Sequence, residues 1–142
     1  MTEQYVGWYG KARRQDWGTP QTLFRTLHRE YHFTLDGAAE GDNRLLSIAS
    51  TPESPLGWEG HRVFCNPPWS MIPPFVELAP AADLAVLLVP ARTNARWFHR
   101  ALALGATPRF FLGKPRFVGP NGQPASFNSP VDCLLLVFGE DQ

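Results

Sequence analysis

Apolar residues change their period several times along the chain, and each change marks an element. Leu23, Phe24, Leu27 and Tyr31 recur at the three-to-four spacing of one helix face. Just upstream, Asp16-Trp17-Gly18-Thr19-Pro20 supplies a start signal, with Thr19 suited to the N-cap and Pro20 to the first helical position. The pattern therefore predicts a helix from Pro20 to about Tyr31. Phe33-Thr34-Leu35-Asp36 is a short aromatic and β-branched run, read as a strand that delivers Asp36 to a tight turn at Gly37-Ala38-Ala39. Residues 40–60 are rich in Gly, Pro, Ser and Asn, with one helical turn expected from Arg44 to Ala49. Arg62 to Cys65 reads as a second strand. It runs into Asn66-Pro67-Pro68-Trp69, where two prolines cannot continue a ladder, so a loop must leave the carboxyl end of the strand.

Ile72 to Leu78 reads as a helix, and the unbroken run Ala85-Val86-Leu87-Leu88-Val89 as a strand buried on both faces of a sheet. Ala95 to Leu104 is a second helical pattern, with Trp97, Phe98 and Ala101 inward. Arg109 to Leu112, Arg116 to Val118 and Cys133 to Phe138 read as further strands, with a turn-rich stretch from Gly119 to Pro130 between the last two. There is no internal repeat. Strand, loop, helix, strand, helix and closing strands make an α/β pattern around a central mixed, mostly parallel sheet flanked by helices. Ligands of such sheets collect outside the carboxyl ends of the strands. Asp36 and Asn66 both fall at such ends, which predicts a shared site.

Length and composition sharpen this picture. A chain of 142 residues has room for one domain, read as 1–142 with residues 1–15 as an N-terminal arm. With 44% hydrophobic and 18% charged residues it is globular, and 13% aromatic residues exceed the needs of one small core, so some rings are expected in a ligand groove or interface. No run of 18 apolar residues occurs, and Met1 to Gly10 lacks the layout of a signal peptide, so a soluble cytoplasmic protein with no membrane partner is expected. Cys65 and Cys133 each sit in an apolar stretch without His or Cys at ligand spacing, which predicts reduced core thiols and no metal site. His28, His32, His61 and His99 accompany no Ser or Cys motif and are expected on the surface or in packing, and Glu77 and Asp83 as solvated helix-end charges.

Charge is segregated although it sums to zero. Residues 1–29 carry five basic and two acidic groups, residues 30–83 two basic and eight acidic, and residues 132–142 three acidic. Residues 84–131 carry Arg92, Arg96, Arg100, Arg109, Lys114 and Arg116 and no acid. That basic stretch is the expected phosphate-contacting face of a nucleic-acid partner.

The Asn66-Pro67-Pro68-Trp69 loop suggests the chemistry. An amino group conjugated to a ring, such as N6 of adenine, is a poor nucleophile because its lone pair is delocalised. Two acceptors aimed at its two hydrogens draw the nitrogen toward tetrahedral geometry and free that lone pair for a methyl donor. The side-chain carbonyl of Asn66 supplies one acceptor and the backbone carbonyl of Pro67 the other. The prolines hold the loop in place before substrate arrives, and Trp69 offers a face on which an extruded base can stack.

Most of the chain resembles the small phage-type DNA N-6-adenine methyltransferases. The likeness is carried by Trp17-Gly18-Thr19-Pro20 with Leu23-Phe24, Leu35-Asp36-Gly37-Ala38-Ala39, Trp58, Asn66-Pro67-Pro68-Trp69, Leu88-Val89-Pro90-Ala91-Arg92, Gly113-Lys114-Pro115-Arg116-Phe117 and Phe127-Asn128-Ser129-Pro130. The resemblance implies a reduced Rossmann-like methyltransferase fold acting on adenine N6 in DNA, with S-adenosylmethionine as cofactor. It implies Asn66, Pro67, Pro68 and Trp69 as the catalytic loop. Trp17, Thr19, Pro20, Asp36, Ala38 and Ala39 would line the cofactor pocket, and Arg92, Lys114, Arg116, Phe117 and Asn128 would face the substrate. The chain departs from the family at Trp69, where Tyr or Phe is usual, and lacks a Gly-x-Gly after Asp36. It also lacks length for the units that carry a ribose-binding acid, for which Glu40 or Asp42 are the substitutes at hand. The same loop suits RNA adenine, cytosine N4 and protein glutamine, and a degenerate member could keep the fold and only bind nucleic acid. A homodimer would let so small a subunit cover more DNA.

Overall fold

The computed structural model describes residues 19–39, 44–51, 55–112 and 132–139. The expected N-terminal arm, Trp17, Glu40, Asp42, the strand at residues 116–118, and Lys114, Arg116, Phe117 and Asn128 lie outside the described residues. Five strands form one mixed sheet: β1 (Leu35–Asp36), β2 (Arg62–Cys65), β3 (Leu84–Pro90), β4 (Thr107–Phe110) and β5 (Cys133–Gly139). Their order is β1-β2-β3-β5-β4. The β1–β2 and β2–β3 pairs are parallel, whereas β5 runs antiparallel to both β3 and β4. Four strands thus share one direction, but the ladders divide evenly between parallel and antiparallel, so the sheet is mixed without being mostly parallel in its pairing.

The alternation of side chains along the central strands builds two cores. On one face Phe64, Leu84, Val86, Leu88, Leu135 and Val137 pack against Phe24 and Leu27 of helix α1 (Gln21–Tyr31). On the other, Val63, Cys65, Ala85, Leu87, Val89, Leu134 and Leu136 pack against Ile72 and Val76 of α2 (Ile72–Leu78) and Phe98 and Ala101 of α3 (Arg96–Ala103). All seven residues of β3 are buried, because helices cover both faces of that strand. Pro73 and Pro74 fit the first turn of α2, where their missing N–H groups have no helical partner to lose.

Within the described residues the three longer helices and the other expected strands are present, with α2 and β2 at their predicted limits, and four expectations are corrected. Pro20, not Thr19, stands at the N-cap of α1, and no side chain caps that end. Arg44 to Ala49 forms no helical turn; Ala49 bridges Asp36 in parallel, and the end of the segment is held beside β1 by Asp36 N–H donating to Ile48 C=O (3.0 Å) and Ser50 N–H to Asp36 C=O (2.8 Å). Long-range pairing there outweighs weak local helix preference. The edge strand β4 begins two residues earlier than predicted, because pairing with β5, not local pattern, sets its limits. Trp97 is only half-buried, packing at the margin of the core.

Candidate active site

Because β1, β2, β3 and β4 run together, their carboxyl ends lie along one edge of the sheet. The described chain leaves that edge at Leu112 and rejoins it at Asp132, whose carbonyl accepts a hydrogen bond from Ala91 N–H (2.7 Å) just past β3. Asp36 and Asn66 are therefore near neighbours, Asp36 opposite Phe64 and Asn66 two residues further on, just past the end of β2.

Asp36 is buried, and its carboxylate accepts from Leu45 N–H (2.9 Å) and Ala38 N–H (3.3 Å). Burial raises its pKa, against the opposing pull of these two hydrogen bonds and the Arg44 charge. The other donors of the turn are also engaged: Gly37 N–H with Phe64 C=O (2.8 Å) and Ala39 N–H with Ser50 C=O (2.9 Å). The turn is thus a rigid wall with no N–H left to bind an anion. Gly37 is obligatory in it, since a Cβ there would lie 2.7 Å from the buried Trp58 ring and 2.8 Å from Val63. Trp58 Nε1–H is buried without an acceptor among the described residues.

The Asn66-Pro67-Pro68-Trp69 segment leaves β2 as expected. Asn66 Nδ2 donates to Thr19 Oγ1 at 3.2 Å, while Pro68 C=O accepts Met71 N–H (2.8 Å) and so starts the 3-10 turn Trp69–Met71. Among the described residues no donor reaches Asn66 Oδ1 or Pro67 C=O. Trp69 is half-buried and touches both cores, closing the end of the sheet. Cys65, next to Asn66, is fully buried, and burial together with the Asp36 charge pushes its pKa well up, so it is held as an inert thiol. Cys133 is likewise free and buried.

The structure brings Thr19, Pro20, Asp36, Ala38, Ala39, the 66–69 loop and Arg92 to this edge. It pairs two arginines of the expected phosphate face with acids. Arg100 is paired with Glu77 (2.8 and 3.1 Å), and Arg109 with Glu30 (2.9 Å) and the Tyr31 hydroxyl (2.8 Å). Glu77 is therefore an ion-pair partner as well as an exposed helix-end charge. His28 Nδ1 accepts Phe33 N–H (3.1 Å), His61 pairs with Thr34 (3.0 Å) and His99 with Thr93 C=O (2.8 Å), so three histidines have structural contacts. The Thr19 contact with Asn66 had no signal in the sequence, since 47 residues separate the two. Ser50, which braces Ala39 and accepts Leu56 N–H (2.9 Å) on its hydroxyl, had none either. No cluster of three metal-ligating side chains occurs, and no helix is long and apolar enough to cross a membrane, among the described residues.

An α/β chain whose one edge gathers an acidic turn and an Asn-Pro-Pro-Trp loop belongs to a narrow class of proteins. A family model for DNA N-6-adenine-methyltransferase (Dam) matches residues 9–141, nearly the whole chain. The protein belongs to that family, and membership supports DNA adenine methyltransferase activity. No curated protein matches the chain.

Proposed function

We propose that the protein transfers a methyl group from S-adenosylmethionine to the N6 amino group of adenine in DNA, in a single domain with a reduced Rossmann-like methyltransferase fold. The observation that carries this reading is the pair of acceptors, Asn66 Oδ1 and Pro67 C=O, that no described donor occupies. A conjugated amino group has two hydrogens to give, and these acceptors polarise it as the nitrogen becomes tetrahedral and positive. Trp69 would stack on the extruded base.

S-adenosylmethionine, when bound, supplies an electrophilic methyl group on a sulfonium. For that cation the edge offers carbonyl acceptors and the Asp36 carboxylate. Pro20, Asp36, Ala38 and Ala39, with Trp17, would hold it through shape and acceptors, the donors of the turn being engaged within the protein and the Thr19 hydroxyl being taken by the Asn66 amide. Arg92, Lys114, Arg116, Phe117 and Asn128 would contact DNA. Proton loss from the product would go to water or to the Asn66 carbonyl region, since His28, His61 and His99 are engaged elsewhere and burial holds Cys65 protonated. A cytoplasmic location and a homodimeric assembly fit a small enzyme acting on DNA.

The test is transfer of labelled methyl from S-adenosylmethionine to DNA, RNA and protein in parallel, followed by nucleoside and amino-acid analysis. Label in N6-methyladenine from DNA is expected. Label confined to RNA, to N4-methylcytosine or to glutamine would replace the substrate, and no transfer to any of them would refute the enzyme reading.

A further inference from the structure

We propose that Thr19 is a positioning residue for methyl transfer: its hydroxyl holds the Asn66 amide so that Oδ1, and not the NH2 group, faces the incoming amino group. The inference rests on the function proposed above. An asparagine amide has two ends of nearly equal size, and half a turn about its last bond exchanges an acceptor for a donor. With the NH2 group turned outward, the site would oppose the amino hydrogens it must attract. A lock on the orientation is therefore a requirement of the chemistry.

Thr19 has what such a lock needs. It is 4% exposed, so water does not compete for its hydroxyl, and that hydroxyl accepts Asn66 Nδ2–H at 3.2 Å. The group is not spent on the helix that follows, although a threonine just before a helix commonly caps it. Its position is fixed through α1, whose first turn is closed by Phe24 N–H donating to Pro20 C=O (3.0 Å). Phe24 in turn packs edge-on against Phe64 of β2, ring centroids 5.5 Å apart, two residues before Asn66. The helix and the loop are thus registered on the same strand. Neither partner is near the other in sequence, so only this packing forms the pair.

The experiment compares single-turnover transfer to DNA and calorimetric affinity for S-adenosylmethionine in the parent and in Thr19→Val, Thr19→Ala and Thr19→Ser, each checked for folding by circular dichroism. Misplacing a catalytic group by about 1 Å can cost about a hundredfold in rate, so Thr19→Val and Thr19→Ala should transfer about tenfold to a hundredfold more slowly. Their affinity should stay within about threefold of the parent's, and Thr19→Ser should recover most of the lost rate. The same Thr19→Val change is then made with Asn66→Asp. A carboxylate has two acceptor oxygens and no wrong end, so the penalty should largely vanish in that background.

Rates equal to the parent's in Thr19→Val overturn the proposal. So does a loss of affinity in proportion to the loss of rate, which would make Thr19 a cofactor contact, or an equal penalty with Asn66 and Asp at position 66, which would make its role structural. If neither Thr19→Val nor Thr19→Ala folds while Thr19→Ser does, the hydroxyl serves the fold and the proposal is likewise overturned. An inactive parent refutes the proposed function itself, whereas an active parent with an indifferent Thr19 refutes this inference alone.

Discussion

At Asp36, burial and hydrogen bonding pull the carboxyl group in opposite directions, and burial wins. A carboxyl whose pKa is higher folded than unfolded binds more protons in the folded state between the two values. Its contribution to stability therefore falls as pH rises through that window, above about 4, and levels off beyond the raised value. Asp36→Asn removes the titration, so the stability of the parent relative to that variant should decline over this range in urea unfolding at several pH values; a pH-independent difference would place the titration elsewhere. Asn66 presents the opposite case, a half-buried side chain outside both cores whose acceptor is left for a ligand. Asn66→Ala should fold and bind S-adenosylmethionine, yet lose about two to three powers of ten in single-turnover rate, about 3 to 4 kcal/mol. A near-parental rate would reduce the segment to a proline turn.

Among the elements, α1 shows local chemistry and tertiary demand in conflict at its two ends. At its start Thr19 forgoes the cap, and at its end His32, whose N–H still makes the helical bond to His28 C=O at 2.8 Å, adopts a left-handed conformation (φ 54°, ψ 64°) that turns the chain out of the helix. Most helices place glycine at such a position, since a side chain there is strained. His32 is exposed, and replacing it loses no core contact. His32→Gly should therefore raise the free energy of unfolding by about 0.5 to 1 kcal/mol, and the midpoint with it, the relief of strain outweighing the greater entropy of the unfolded chain. An unchanged or lower midpoint in denaturant titration would show that the turn carries no net strain. The 44–50 segment makes the complementary point, because its chain runs beside β1 through long-range backbone bonds that no local periodicity announces.

For the molecule as a whole, the distribution of charge matters more than its zero sum. Arg109 ties β4 to the end of α1 through Glu30 and lies over the Tyr31 ring, 5.7 Å from its centroid, and Arg100 ties α3 to α2 through Glu77. These pairs are exposed and staple elements together, so neither arginine is expected on DNA. Arg92 follows β3 directly onto the edge that carries the loop. Binding to DNA measured over a range of salt should accordingly give an unchanged slope for Arg100→Gln and Arg109→Gln, and a slope flatter by about 0.9 for Arg92→Gln. The reverse result would move the DNA to the α2–α3 or β4 side.

What the sequence determined by itself is what depends on near neighbours. Leu23, Phe24 and Leu27 mark α1, the continuous run from Ala85 to Val89 marks a strand buried on both faces, and the prolines at 67 and 68 can only end one. The candidate loop at Asn66 to Trp69 was legible for the same reason, since four consecutive residues carry it. Tertiary structure alone decided which groups meet across long separations: the hydroxyl of Thr19 on the amide of Asn66, the 45–50 segment on Asp36, Trp58 against Gly37, and Glu30 on Arg109. Such contacts arise when parallel strands and their crossing helices bury apolar faces. That burial is insensitive to which polar groups are thereby placed side by side, so no local pattern records them.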